Sequence, residues 1–267
     1  MSARPATERV GNSGSIRNML PTIPSGTRAG ALYLNAYVDT RIAVYFDQRT
    51  LLHADTMSTF MRVLSFVTQK GGSGKTTLVF CCAVAAEAQR KRVLILDMDP
   101  QGTATAWYKD REAETPALAS IKSPELSDAI AKAKAAGFDL LFIDTPGRDE
   151  PGTTAAIRAS DLCIIPCRPT PGDMKATPPT IATINRLKRS AAFVLMQTPP
   201  RGQRNSEAEK GLSVLGMVCP HPIVMRHAYQ DAQGRGLGVT EFEPEGKAAE
   251  EIRELWKWIS KKLEKIQ

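Results

Sequence analysis

Residues 67–77 read VTQKGGSGKTT, and most of this stretch has the composition of a phosphate cradle. Glycines let the backbone curl so that successive N–H groups point inward at an anion. A helix opening just after them adds its positive end. Lys75 is placed to reach the outer phosphates of a nucleotide, and the Thr76 hydroxyl is placed to ligate Mg²⁺. The candidate nucleotide-binding residues are therefore Gly71, Gly72, Ser73, Gly74, Lys75, Thr76 and Thr77. One position departs from the general pattern G-x-x-x-x-G-K-[ST]. Its first glycine would fall at residue 69, where the chain has Gln69 followed by a second lysine, Lys70. Either the loop is damaged or the second lysine has a task.

Two acidic motifs accompany the loop. DMDPQG carries Asp97 and Asp99, and LLFIDTPG carries Asp144 after four apolar residues, the Walker B pattern. Carboxylates facing a phosphate loop can support the Mg²⁺ shell and orient an attacking water. Thr76 and Asp144 are the candidate metal residues, Asp144 acting through a water, while one of Asp97 and Asp99 would support the metal shell and the other orient the attacking water. Gly147 would let the segment after it shift when a terminal phosphate leaves. Arg148 reads as a solvated arginine.

These residues need a scaffold that gathers them. From residue 61 onward, apolar runs alternate with helical segments. RVLSFVT, RVLILD, DLLFID, DLCIIPC and AAFVLMQ read as buried strands, with PIVM as a further candidate. Helices are expected over 76–90, 124–136, 173–190, 206–215 and 247–266. Apolar strands between helices predict an α/β P-loop NTPase fold, a mostly parallel sheet covered by helices on both faces. Ligands of such sheets bind at the carboxyl ends of the strands, where every residue named above falls.

Composition narrows the class. With 267 residues, 42% of them hydrophobic, the chain can bury a large core. It has no run of 18 apolar residues and no signal-peptide pattern. Its five cysteines are an odd number without framework spacing, which reads as reduced thiols in the cytoplasm. A net charge of +7 suits an acidic partner such as DNA. Residues 1–60 differ from the rest, with six arginines, no lysine and no sustained apolar period. They are expected to be a loosely attached extension, or a stretch read from an upstream start codon, ahead of a domain over 61–267. A DNA-binding arm is the alternative.

Taken together and in order, KGGSGKTT, DMDPQGTAT, FIDTPG and SDLCIIPCRPTPGD resemble the ParA/MinD family of deviant Walker A ATPases. The resemblance runs from Met61 nearly to the C-terminus. It is nearest to the plasmid and chromosome partition ATPases in their short form without a helix-turn-helix domain. It implies ATP and Mg²⁺ as ligands, slow hydrolysis, and a homodimer with ATP sandwiched between protomers. Lys70 would be the signature lysine, reaching the partner's nucleotide. Lys70, Lys75 and Asp99 would be the catalytic set, with Asp99 positioning the water and Asp97 supporting the metal. Family members carry an Asn after the fifth strand that contacts adenine. Here Met196 stands there with Gln197 beside it, whose amide offers the same donor and acceptor. Pro199 and Pro200 would shape the base pocket.

The resemblance also implies non-specific DNA contact, stimulation by a ParB-like centromere-binding or adaptor protein, and a cytoplasmic, nucleoid-associated location. Arg201, Arg204, Arg226, Arg235, Lys257 and Lys261 are the DNA-contact candidates. The last helix places Ile252, Leu255, Trp256, Ile259, Leu263 and Ile266 at helical spacing. It reads as a core-docking helix, a DNA-facing patch or a membrane-surface helix. A MinD-like ATPase positioning a cargo on a membrane or protein complex is the rival function. Iron–sulfur reductase relatives would need cysteines after Asp99 and Asp144, and none occurs there.

Overall fold

Short apolar runs make the strands. β1 (Arg62–Phe66), β2 (Val93–Asp97), β3 (Ala117–Ser120), β4 (Leu140–Asp144), β5 (Leu162–Cys167), β6 (Ser190–Leu195) and β7 (Met217–Val218) form one sheet. Its order is β3-β2-β4-β1-β5-β6-β7, and every pair is parallel. This computed structural model describes residues 60–147, 151–201 and 203–266, all within the unit Tyr37–Gln267. The readings of residues 1–60, Phe60 apart, and of Arg148 lie outside the described residues.

Between the strands run α1 (Lys75–Ala88), α2 (Thr103–Lys109), α3 (Leu126–Ala135), α4 (Pro151–Ala159), α5 (Pro171–Arg186) and α6 (Arg204–Ser213). After β7 come α7 (His227–Gln233), α8 (Val239–Phe242) and α9 (Lys247–Leu263). Side chains alternate between the sheet's two faces. Leu64, Phe66, Phe142 and Ile164 pack on one face with α1 and α9. Val63, Leu94 and Leu141 point the other way towards α3, and Cys163, Ile165 and Phe193 towards α5 and α6.

α1 is apolar all round, and Leu78 through Ala86 are buried without a break, as befits a helix enclosed by other elements. α9 covers it. Ile252, Leu255, Trp256, Ile259 and Leu263 of α9 are buried, and the Trp256 indole donates to Gln89 Oε1 at 3.1 Å. The apolar stripe of the last helix therefore docks on the core.

Some elements differ from the sequence reading. The PIVM segment makes only an isolated bridge, Thr198 to Val224, and the seventh strand is the preceding Met217–Val218 pair. β3, α2, α4, α7 and α8 form where no element was expected. α5 starts at Pro171 and runs through Pro178 and Pro179.

Candidate functional site

Register brings the acidic motifs together. Phe66 at the end of β1 pairs with Asp144 at the end of β4, and Asp144 pairs with Asp97 at the end of β2. Three strand ends are thus flush, and the loop from β1 to α1 lies over them. Gly72 and Gly74 take left-handed φ of 71° and 94°, a turn that only glycine makes without strain. Gly74 caps α1 without a side-chain hydrogen bond, and the first turn carries no acid. The first-turn N–H groups of α1 are left for an anion. Gly147 closes the other side, its Cβ direction 3.5 Å from Lys75 Nζ and 3.6 Å from Gly71 Cα.

Thr76 Oγ1 donates to Asp144 Oδ2 at 2.7 Å. Thr105 donates to Asp97 Oδ2 from its backbone N at 2.9 Å and its hydroxyl at 2.6 Å. Asp97 Oδ1 accepts from Asp99 N at 3.1 Å, which ties the two aspartates into one turn. Asp97 and Asp144 are buried, while Asp99 is half-buried. Burial pushes the Asp144 carboxyl up to about 7. The Thr76 hydrogen bond opposes that rise, and the charge on Asp97 adds to it. Lys75 is also buried, which lowers its pKa against the upward pull of Asp144 and Asp99.

Two buried oxygens at this site have no partner: Asp144 Oδ1 and Ser73 Oγ. A buried polar atom without a partner carries a desolvation penalty that a ligand can remove. The donor set around Asp144 is all oxygen, which suits Mg²⁺ held partly through water. Ser73 lies in the glycine turn, where a phosphate oxygen would meet its hydroxyl. The residues present therefore fit a magnesium–nucleotide polyphosphate, with Thr76 and Asp144 nearest the metal. Asp97 stands behind them, its carboxylate already held by Thr105.

Lys70 is exposed at the rim, apart from Lys75. Within reach of its charge is Asp173, a buried residue in the first turn of α5. Arg168 pairs with both oxygens of Asp173 at 3.0 and 3.1 Å, and Thr170 donates at 2.5 Å. Burial raises the Asp173 carboxyl, but these hydrogen bonds outweigh it and lower the pKa, with a smaller pull from Lys70.

Gln197 is exposed, with φ of 51°, and its Nε2 donates to Gly72 O at 3.3 Å. It is therefore brought to the loop. Pro199 lies beside it, and Asn205 Nδ2 donates to Pro199 O at 3.0 Å while Asn205 Oδ1 is buried without a partner. Sequence reasoning missed Thr105, Asp173 and Asn205. Only for Thr105 was there a signal, a hydroxyl a few residues after the DMDPQG turn.

For the DNA-contact candidates, the Thr198–Val224 bridge sets the segment leading to Arg201 beside the one leading to Arg226. Arg201 and Arg204 are exposed after β6. Arg226 gives two hydrogen bonds to Glu251 Oε1, at 2.9 and 2.6 Å. Arg235 lies over the Phe242 ring, Lys257 pairs with Glu254 at 3.3 Å, and Lys261 is exposed on α9.

Residues 64–237 match the CbiA model, described as the CobQ/CobB/MinD/ParA nucleotide binding domain. This chain belongs to that ParA/MinD family. It is 31% identical to Maintenance of carboxysome distribution protein A of Halothiobacillus neapolitanus over 206 residues, covering 72% of this chain and 93% of that protein. It is 24% identical to Protein IncC of Escherichia coli over 260 residues, covering 80% of this chain and 73% of the other. Among solved structures, the cell division ATPase MinD of Pyrococcus furiosus superposes with a TM-score of 0.65 at 19% identity, covering 76% of this chain and 99% of that one. MinD of Pyrococcus horikoshii complexed with Mg-ADP gives 0.61 at 18%, covering 75% and 96%. At these identities the superpositions establish the P-loop α/β fold.

Proposed function

We propose that this protein is a slow, Mg²⁺-dependent ATPase that dimerises around ATP, binds duplex DNA without sequence preference in that state, and releases it on hydrolysis. One observation carries the reading. Two lysines sit on one phosphate loop in opposite settings, Lys75 buried beside Asp144 and Lys70 exposed at the rim. Lys75 serves the nucleotide of its own chain. Lys70 is available to the nucleotide of a second copy, where a cation offsets charge that grows in the transition state. Dimerisation and nucleotide state are thereby coupled.

In this reading Thr76 and Asp144 hold the metal, with Asp97 behind them, and Asp99 orients the water. Gln197, Pro199 and Asn205 border the base. The domain over 61–267 carries the activity. The output is segregation of plasmid or chromosome copies, with a centromere-binding adaptor that stimulates hydrolysis. A second reading, positioning of a protein complex along DNA, is supported by the relative named for carboxysome distribution, most of whose length is matched. A membrane-cycling version has less support. The apolar stripe of α9 is buried, and no helix among the described residues is long and apolar enough to cross a membrane.

The test is duplex binding by the full chain and the 61–267 fragment, with ATP, ADP or no nucleotide, over a salt series. ATP-dependent binding that falls steeply with salt is expected, and Lys75→Ala should abolish it. Full ATP-dependent DNA binding by Lys75→Ala would sink the proposal. Stimulation of turnover by a DNA-bound adaptor, against one bound to a protein cargo, separates the two outputs.

A further inference from the structure

One buried cation takes no part in the chemistry above. Arg111 lies just beyond the end of α2, and its side chain is only 3% exposed. A guanidinium taken out of water needs its N–H groups answered. Nε donates to Thr115 O at 2.7 Å, and Nη1 donates to Gly236 O at 2.9 Å. Nη1 and Nη2 also donate to the two carboxylate oxygens of Glu241, at 2.8 and 2.6 Å. The guanidinium carbon lies 5.2 Å from the centre of the Trp107 ring.

Gly236 and Glu241 belong to one strap, residues 236–241, which runs from the turn after α7 into α8. Trp107 reaches the same strap, its indole donating to Leu237 O at 3.2 Å. Glu241 is fixed in turn, its Oε2 accepting from Gly238 N at 2.9 Å. Gly236 is buried at φ 64°, and a Cβ there would lie 2.5 Å from Arg111 N and from Asp110 C. Backbone meets backbone at this point, which only glycine permits. The strap also lies on α1, since a Cβ on Gly238 would be 3.0 Å from Val84 Cβ. It therefore touches both helices that follow nucleotide-facing motifs, α1 after the phosphate loop and α2 after DMDPQG.

α2 needs such an anchor. Its residues, TATAWYK, are poor helix formers, and the helix is too short to hold on its own. Near its start, Thr105 grips Asp97 through backbone and hydroxyl, and Asp97 in turn accepts from Asp99 N. Beyond its end, Arg111 grips the strap. The helix between is about 10 Å long at roughly 1.5 Å per residue, so a shift at one end is carried to the other. Net stability is a poor reason for the ion pair, because desolvation offsets much of the attraction between buried charges. A bidentate fork supplies direction instead, since it fits its carboxylate in one placement.

We propose that Arg111 is a positioning residue for hydrolysis. By gripping Glu241 and Gly236 it sets α2 so that Thr105 holds Asp97 and the turn aims Asp99 at the attacking water. The proposal rests on the ATPase reading above and assigns to Arg111 a control on rate, not on nucleotide affinity. The glycine loop and Lys75 are carried by β1 and α1, which Arg111 does not touch.

The test compares full-length wild type with Arg111→Lys, Gly236→Ala, Thr105→Val and the double variant Arg111→Lys/Thr105→Val. Steady-state hydrolysis of Mg-ATP, affinity for a fluorescent ATP analogue, dimer formation in sedimentation and Tm are read on the same samples. Arg111→Lys keeps the charge and loses the fork. It should lower kcat at least tenfold, with KM and analogue affinity within threefold and the dimer intact. Gly236→Ala should reproduce that split without removing a charge. Arg111 acts through Thr105, so the double variant should be no more than twofold slower than the slower single variant; independent effects would multiply. Arg62→Gln, which removes the ion pair with Asp161, is the control for general loosening and should leave kcat within twofold. A lowered Tm with unchanged kcat in Arg111→Lys makes the pair merely structural and overturns the proposal while sparing the ATPase reading. Multiplying losses in the double variant, or an equal loss in Arg62→Gln, does the same. Wild type that binds the analogue and never hydrolyses ATP overturns both.

Discussion

Removing the titratable group at Asp144 should change how the nucleotide-free, metal-free protein responds to pH. Asp144 is buried, with one oxygen bonded to Thr76 and the other without a partner. Burial raises its pKa from 3.8 to about 7. Below pH 4 the carboxyl is protonated in both folded and unfolded chains. Between pH 4 and pH 7 the unfolded chain releases the proton while the folded one keeps it. Stability is therefore lost as pH rises across that window, and the loss is complete just above pH 7. Three pH units at about 1.4 kcal/mol each give a loss on the order of 4 kcal/mol. For a domain of this size that is roughly 8–16 °C in Tm. Asp144→Asn keeps an acceptor for Thr76 and removes the titration. The difference in Tm between Asp144→Asn and wild type, followed by calorimetry in chelator from pH 4 to pH 8, should grow in the variant's favour and level off above pH 7. Lys75 is perturbed in the opposite direction, and because Asp144 pulls its pKa upward the difference reports the coupled Asp144–Lys75 pair. A difference that stays flat across the window would refute the reasoning.

Other perturbations test separate parts of the site. Gly74→Ala places a side chain at φ 94° with its Cβ 2.7 Å from Met196 Cε. The methionine end can yield but the backbone cannot, so a cost of about 1–3 kcal/mol and at least tenfold weaker binding of a fluorescent ATP analogue are expected. Thr105→Val keeps the shape and the backbone hydrogen bond to Asp97 but removes the 2.6 Å hydroxyl contact. It should cost about 1.5–3 kcal/mol by chemical denaturation and slow hydrolysis more than it weakens ATP binding. Lys70→Ala should leave ATP affinity within a few-fold and abolish the ATP-dependent dimer in sedimentation. A full-strength dimer in that variant would remove Lys70 from the interface.

The phosphate loop, both acidic motifs and the central strands were legible because each is local. A glycine turn, an apolar run or a terminal carboxylate is written in adjacent residues. Elements that rest on distant partners were not. TATAWYK has poor helix formers, yet α2 forms because Trp107 stacks on Phe80 at 4.9 Å and Thr105 locks onto Asp97. β3 is only ALAS, too short and small to announce itself, and β2 supplies its hydrogen bonds. Pro178 and Pro179 argue against a continuous helix, but Ile181 and Ile184 are buried and hold α5 together beyond them. Charge was the hardest to read. Arg226 looked available in sequence because Glu251 is 25 residues away.

The same charge distribution bears on why the loop carries its unusual second lysine. Asp97, Asp99 and Asp144 surround a single cation, Lys75, whose pKa the two nearer acids pull upward. With all three ionised, the local charge is −2. A divalent cation cancels that, and one carboxyl held near neutral reduces the strain while none is bound. A triphosphate then brings several further negative charges into a partly buried space. Loop N–H groups, the α1 terminus and Lys75 answer some of them. Lys70 could add its charge from within the same chain only by leaving the rim, where Asp173 and the solvent already attract it. A second copy approaching the carboxyl edge delivers that charge without unfolding the rim. On this account Gln69, standing where the general pattern has a glycine, is no defect. In the proposed reading, the position before the glycines carries an exposed cation that serves the nucleotide of a second molecule.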